Sequence, residues 1–247
     1  MAKDFLNATI KANQEIYNIL NSGFKQEWCK SYNVGAGGDI SCEIDLLAEN
    51  IFIKHLKDFG QIESEESGII GSGKQKIVID PIDGSSNALT NFPYYGSSVA
   101  LIGEDGLIKC SVVANFANGE IFYKIANEPL FVAYLNSLNF KIEQRVKEPR
   151  VGLFERSYAH DRVVKKLNEH NLKYRAPGAV ALSLAYAHRV EYVLYVGELR
   201  VYDVAAGLAL CEDLNVTISD NYVVVAQKKE TLNIIENILK EVEDELK

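Results

Sequence analysis

The run Ile77-Val78-Ile79-Asp80-Pro81-Ile82-Asp83-Gly84-Ser85-Ser86-Asn87 sets two carboxylates three residues apart and follows them with a glycine and two hydroxyls. Its apolar start predicts a strand that delivers Asp80 to its end, where Pro81 fixes a turn and removes a backbone donor. Gly84-Ser85-Ser86 then predicts the opening of a short helix, whose unpaired N–H groups and hydroxyls suit a phosphate. Carboxylates beside a phosphate repel it unless a cation lies between them. The pattern therefore asks for a hard metal such as Mg²⁺, which takes oxygen ligands. Read alone, the same stretch also fits Asp83 as a helix cap and Asp80 as a turn residue.

Further acids strengthen the metal reading. Glu65 and Glu66 lie just upstream in Ser64-Glu65-Glu66-Ser67-Gly68, and Asp203 opens the predicted Ala/Gly-rich helix of Tyr202-Asp203-Val204-Ala205-Ala206-Gly207 after another strand. Singly, a Glu-Glu pair is a solvated surface and an Asp before Val-Ala-Ala is an N-cap. Asp45 and Glu49 fall one turn apart on a second predicted helix and form an acidic edge.

The motifs SEESG (64–68), DPIDGSSN (80–87) and YDVAAG (202–207), in that order, strongly resemble the inositol monophosphatase family of Mg²⁺-dependent, lithium-sensitive sugar phosphatases. The likeness covers nearly the whole chain. GGDISCEID (37–45) and DGSSN also resemble fructose-1,6-bisphosphatases, and Glu198-Leu199-Arg200-Val201-Tyr202-Asp203 is similar to the archaeal enzymes that handle both substrates.

The resemblance implies metal ligation by Glu65, Asp80, the Ile82 carbonyl, Asp83 and Asp203, and phosphate binding by Gly84, Ser85 and Ser86. It implies two or three Mg²⁺ ions and in-line attack by a metal-activated water, with Glu65 and the Ser85 hydroxyl orienting or deprotonating it and Asp45 supporting that pair. Ions there would neutralise charge on both the attacking and leaving oxygens. Arg175-Ala176-Pro177-Gly178 resembles the segment that lies against the sugar or inositol ring, so Arg175, Gly178, Arg200 and Asp203 are expected on the substrate. An arginine paired with a surface acid is the commoner use of such a residue. The glutamate that contacts inositol in the animal enzymes has no counterpart near Val196. The expected activity is a phosphomonoesterase acting on inositol monophosphate or a similar small sugar phosphate. Fructose-1,6-bisphosphatase is the enzymatic alternative, and a regulatory or binding protein on the same fold is the alternative of another class. The family also implies a homodimer.

These residues need elements to hold them. Apolar spacing predicts helices over 2–22 and 44–59, and the glycine-rich stretch 32–40 reads as a loop or loose hairpin that shapes the metal site. Short β-rich runs follow at 76–80, 97–102, 107–115, 120–125 and 130–134. After the polar joint at 147–149 come strands at 150–154, 190–196 and 222–226, alternating with helices at 159–170, 179–188, 203–213 and 230–245. The pattern gives an α+β class. The resemblance refines it to a layered αβαβα sandwich, with the active site between an N-terminal half (1–148) that carries most metal ligands and a C-terminal half (149–247) that carries substrate contacts and the last aspartate.

Composition bounds the rest. The 247 residues suit one large or two small domains. A formal charge of −8 and the lack of a basic tract argue against nucleic acid as partner. Cys29, Cys42, Cys110 and Cys211 show no CxxC spacing and read as reduced thiols, which points to the cytoplasm. No stretch reads as a signal peptide or as a membrane span, because even the longest uncharged run is rich in Ser, Asn and Gly. His55, His160, His170 and His188 lack metal-ligand spacing and read as structural or surface groups.

Overall fold

Phe5, Leu6, Ile10, Ile16 and Leu20 share one side of the first segment. The computed structural model, which describes residues 1–245, makes that segment helix α1 (Ala2–Leu20) with this side buried. Strands β1 (Ser31–Val34) and β2 (Ile40–Cys42) pair as an antiparallel hairpin, and α2 (Glu43–Leu56) follows directly. Next come β3 (Gln61–Ser64), β4 (Gly68–Ile70), β5 (Lys76–Asp83), the short helix α3 (Ser85–Leu89), β6 (Gly96–Ile102), β7 (Ile108–Asn115), β8 (Glu120–Ile125), β9 (Phe131–Tyr134) and β10 (Lys141–Ile142). The chain continues through β11 (Gly152–Glu155), α4 (Asp161–Glu169), β12 (Tyr174–Arg175), α5 (Val180–Ala185) and β13 (Tyr192–Val196). It closes with α6 (Val201–Leu210), β14 (Asn215–Ile218), β15 (Tyr222–Ala226) and α7 (Lys229–Glu241). Of the second half as delimited from sequence, residues 246 and 247 lie outside the described residues.

Two sheets carry the molecule. The larger has eight strands in the order β10-β9-β8-β7-β6-β5-β3-β4, antiparallel except where β3 runs beside β5. The smaller has five, in the order β12-β11-β13-β15-β14. Helices α1 and α2 cover the outer face of the large sheet, α5 and α6 fill the space between the sheets, and α4 and α7 cover the far side of the small one. This is the layered αβαβα order. It explains why Ile77, Val78 and Ile79 are all buried without alternation: both faces of β5 are covered.

Several local expectations change. The strand carrying the first two aspartates does not end at Asp80 but runs through Asp83, with a register shift between Asp80↔Ser98 and Asp83↔Gly96. Three steps along β5 thus match two along β6. Pro81 has no N–H for the ladder, and the extra residue forms a bulge. In a regular strand, residues three apart face opposite sides; the bulge lets Asp80 and Asp83 serve one site. Strands β3, β4, β10, β12 and β14 escape sequence reading because they are only two to four residues long, too short for a periodic signal. Asp203 is not an N-cap: that position belongs to Arg200, and Asp203 lies in the first turn of α6.

Candidate active site

Each acid reaches the site from a different piece of the fold. Asp80 and Asp83 come from the bulged end of β5. Glu65 follows β3, with its N–H donating to the Ile79 carbonyl at 3.1 Å, so the neighbouring strand fixes its height along β5. Asp203 arrives on α6, which Ser98 anchors by donating its hydroxyl to the Tyr202 carbonyl at 3.0 Å. One carboxylate oxygen from each of Glu65, Asp80 and Asp203 lies within 4.8 Å of the others. Asp83 is held separately: its Oδ2 accepts the N–H of Leu182, in the first turn of α5, at 2.7 Å.

Burial sets the electrostatics. It pushes Asp80 well above the usual carboxylate range, and the charges of Glu65, Asp83 and Asp203 push the same way. Asp83 is raised by burial too, against the Leu182 N–H, which favours the ionised form. Burial takes Glu65 up to about 7, with Arg200 opposing it, and Asp203 is raised by burial against the same guanidinium. Glu66 is pushed to about 7 by burial, while a hydrogen bond from Ser41 pulls it down. Like-charged oxygens packed this closely are stable only with protons or cations among them. The donor set is all oxygen, which fits a hard divalent ion and does not suit a soft one.

Beside the acids the chain turns into α3. Gly84 caps it at φ +89°, and a Cβ there would meet Ala179 Cβ at 3.1 Å and the carbonyl oxygens of Gly178 and Tyr94 at 3.1 and 3.2 Å. Only glycine satisfies both the left-handed backbone and this close approach. Ser85 donates its hydroxyl to Asp45 Oδ1 at 2.7 Å and lies 3.0 Å from the Ile82 carbonyl oxygen, so that expected ligand atom faces the same cleft. Asp45 is 2% exposed, so this acidic edge of α2 faces the interior and not water. Its neighbour one turn on, Glu49, is also buried and accepts the N–H and hydroxyl of Ser67 at 3.0 and 2.6 Å, fixing the chain just past Glu65 and Glu66.

The structure brings Asp45, Glu65, Asp80, Ile82, Asp83, Gly84, Ser85, Ser86, Gly178, Arg200 and Asp203 onto one cleft of about 900 Å³. Arg175 is the exception. It ends the edge strand β12, is exposed, donates to the adjacent Tyr174 carbonyl at 2.8 Å, and is not among the cleft-lining residues. The turn at 35–39 docks on the acids: Ala36 and Gly37 donate their N–H groups to the carbonyls of Glu66 and Glu65 at 2.9 and 2.7 Å. A Cβ on Gly37 would sit 2.4 Å from Glu65 Cγ, so this glycine lets the turn close over the glutamate.

Sequence reading missed Glu155, Arg156, Tyr158 and Glu198, all of which line the cleft. For Glu155 a signal existed, since Gly152-Leu153-Phe154-Glu155 ends an apolar strand on a carboxylate just as Ile77-Val78-Ile79-Asp80 does. Glu155 is 2% exposed; it accepts the Gly178 N–H at 2.8 Å and a hydrogen bond from the Ser183 hydroxyl. Asn87 grips the same segment by donating to the Pro177 carbonyl at 2.7 Å.

The chain has clear relatives. The model of the inositol monophosphatase family matches residues 1–238. "Nus factor SuhB" of Xylella fastidiosa is 32% identical over 228 residues, covering 86% of this chain and 80% of that protein. The fructose-1,6-bisphosphatase/inositol-1-monophosphatase of Methanothermobacter thermautotrophicus is 30% identical, covering 73% of this chain and 71% of its own length. Among solved structures, the Thermotoga maritima IMPase superposes with a TM-score of 0.77 at 23% identity, over 97% of this chain and 98% of its own. With a family model spanning almost the entire sequence and an all-oxygen acid cluster beside a glycine-capped turn, this chain belongs to the inositol monophosphatase family.

Proposed function

We propose that the protein is an Mg²⁺-dependent phosphomonoesterase acting on inositol monophosphate or a similar small sugar phosphate. The convergence of buried Glu65, Asp80, Asp83 and Asp203 on the opening of α3 carries this reading. Two or three divalent ions, held by those carboxylates and the Ile82 carbonyl, would supply Lewis acidity that acidifies water and neutralises phosphate charge. The chain's own residues do the rest. The first-turn N–H groups of α3, with Ser85 and Ser86, orient the phosphoryl group. Asp45 fixes the Ser85 hydroxyl, which orients the attacking water, while the Glu65 carboxylate accepts its proton. The segment at Gly178, clamped by Glu155 and Asn87, forms a wall for the sugar.

A second reading, fructose-1,6-bisphosphatase, is favoured by Arg156 and Arg200, two cations that line the cleft and could meet a second phosphate. The test is phosphate release from a panel of sugar monophosphates and bisphosphates, with Mg²⁺ and with added Li⁺, for the wild type and Asp83→Asn. Metal-independent turnover, equal in both proteins, would sink the mechanism. Turnover of none of the panel despite normal Mg²⁺ binding would favour a regulatory role on the same fold.

We also propose a cytoplasmic location and a homodimer. All four cysteines are free, which supports a reducing compartment, the cytoplasm; no helix among the described residues is long and apolar enough to cross a membrane. The dimer rests on family resemblance and is checked by a light-scattering mass of two chains.

A further inference from the structure

Arg200 and a divalent cation draw on the same oxygens. Nε and Nη2 of Arg200 donate to Oδ2 and Oδ1 of Asp203 at 2.8 and 3.1 Å, so the flat fork of the guanidinium covers both oxygens of that carboxylate. Nη1 stands 2.9 Å from Oε1 of Glu65. The same nitrogen donates to Asp39 Oδ2 at 2.6 Å and to the Gly37 carbonyl at 3.0 Å, both on the turn that joins β1 to β2. One side chain thus neutralises two of the clustered acids and ties that turn to the start of α6. It is 28% exposed and lines the cleft, so it has room to move.

A bidentate guanidinium occupies the in-plane lone pairs of a carboxylate, which an oxygen-seeking cation also needs. Two positive groups crowded onto one partly buried acid pair also repel each other strongly. Resting on the metal-dependent reading above, we infer that Arg200 is a built-in counter-cation of the acid cluster, which competes with the metal for Asp203 and Glu65 and swings off them as the metal binds. In that exchange the turn at Gly37 and Asp39 loses a tether to the acids, and the guanidinium becomes free to face an anionic substrate in the cleft. By linkage the competition is reciprocal: whatever holds Arg200 on Asp203 weakens metal binding by the same factor.

The test is Mg²⁺ titration by calorimetry on the whole protein, comparing the wild type with Arg200→Gln and Arg200→Lys, each checked for folding by thermal melting. Arg200→Gln is expected to bind Mg²⁺ about tenfold more tightly, within the range usual for coupled sites. Arg200→Lys keeps the charge but cannot span both oxygens of Asp203, so its affinity should fall between the two. If Arg200→Gln does not fold, the lysine variant carries the test, with tighter binding than wild type expected. Unchanged or weaker Mg²⁺ binding in the variants, while wild type binds normally, overturns the competition and leaves the proposed function standing. Absence of Mg²⁺ binding in all three proteins overturns both.

Discussion

Ser85 and Asp45, 40 residues apart in the chain, are joined by a hydrogen bond of 2.7 Å that links the opening of α3 to the first turn of α2. The second oxygen of Asp45 accepts the Cys42 N–H at 2.8 Å, so one buried carboxylate both caps its own helix and aims a hydroxyl at the site. Asp45→Ala removes both at once. Loss of the cap costs about 1 kcal/mol of stability, while loss of the aimed hydroxyl should lower kcat by roughly a hundredfold, in the range of one positioned acid–base group. Thermal melts and phosphate release separate the two effects. A kcat within twofold of wild type would show that Ser85 needs no such partner.

Asp80 is where function opposes stability. Its carboxyl is buried among three other acids and sits in hydrogen-bonding reach of Glu65. Asparagine has the same shape, brings no charge, and can donate to Glu65 permanently. Asp80→Asn is therefore expected to stabilise the protein in chelator by about 1 kcal/mol, the size usual for a single stabilising substitution. That corresponds to roughly 2–4 °C in melting temperature for a chain of this size. Added Mg²⁺ should reverse the order, raising the melting temperature of wild type and hardly moving the variant. A variant less stable than wild type in chelator would contradict the repulsion argument.

Gly84→Ala tests the close approach of α3 to α5. The added Cβ meets backbone oxygens of Gly178 and Tyr94 as well as Ala179, none of which is the loose end of a side chain, and the residue must keep φ at +89°. The expected cost is about 1–3 kcal/mol of stability, together with a weaker hold on phosphate because Ser85 and Ser86 follow directly. Inorganic phosphate inhibition provides the second readout. An unchanged melting temperature would mean that the two helices part easily.

Local chemistry was the legible part of this site. Asp80, Pro81, Ile82, Asp83 and Gly84 form a consecutive run whose bulge and cap depend on residues within it, so their types announced their use. Asp45 was harder, because spacing placed it on a helix edge but could not say whether that edge faced water or Ser85, a matter of how α2 packs on the large sheet. The contacts that join Glu155 to Gly178, and Arg200 to Glu65, Asp39 and Gly37, were not legible, since they link strands, helices and turns that lie 23 to 163 residues apart in the chain. Arg175 is the complementary case: its motif was matched, yet it ends the edge strand β12, exposed and outside the cleft lining. The α+β class was readable from the run of strands between helix pairs and the layer order from the family resemblance, whereas the short polar strand β3, which sets the position of Glu65, left no periodic signal.

Glu155 gives a prediction in which pH tells positioning from packing. Burial raises its carboxyl above the ordinary value, while the Ser183 hydroxyl and the N–H groups of Gly178 and Ala179 pull it down without cancelling the shift. The folded protein therefore binds this proton more tightly than the unfolded chain does. Its contribution to stability is full below the ordinary carboxylate range, near pH ~4, and is lost as pH rises through the higher folded value. Glu155→Gln removes that loss, so in chelator the variant should gain on wild type from about pH 4 upward and then run parallel to it. Glutamine keeps one acceptor oxygen for these three donors, which loosens Gly178 without moving the metal ligands. Its KM for a sugar phosphate should rise by about tenfold, the equivalent of roughly 1.4 kcal/mol, with kcat changing less. A stability difference that is flat with pH, or a loss confined to kcat, would remove Glu155 from the substrate wall and leave it a packing residue.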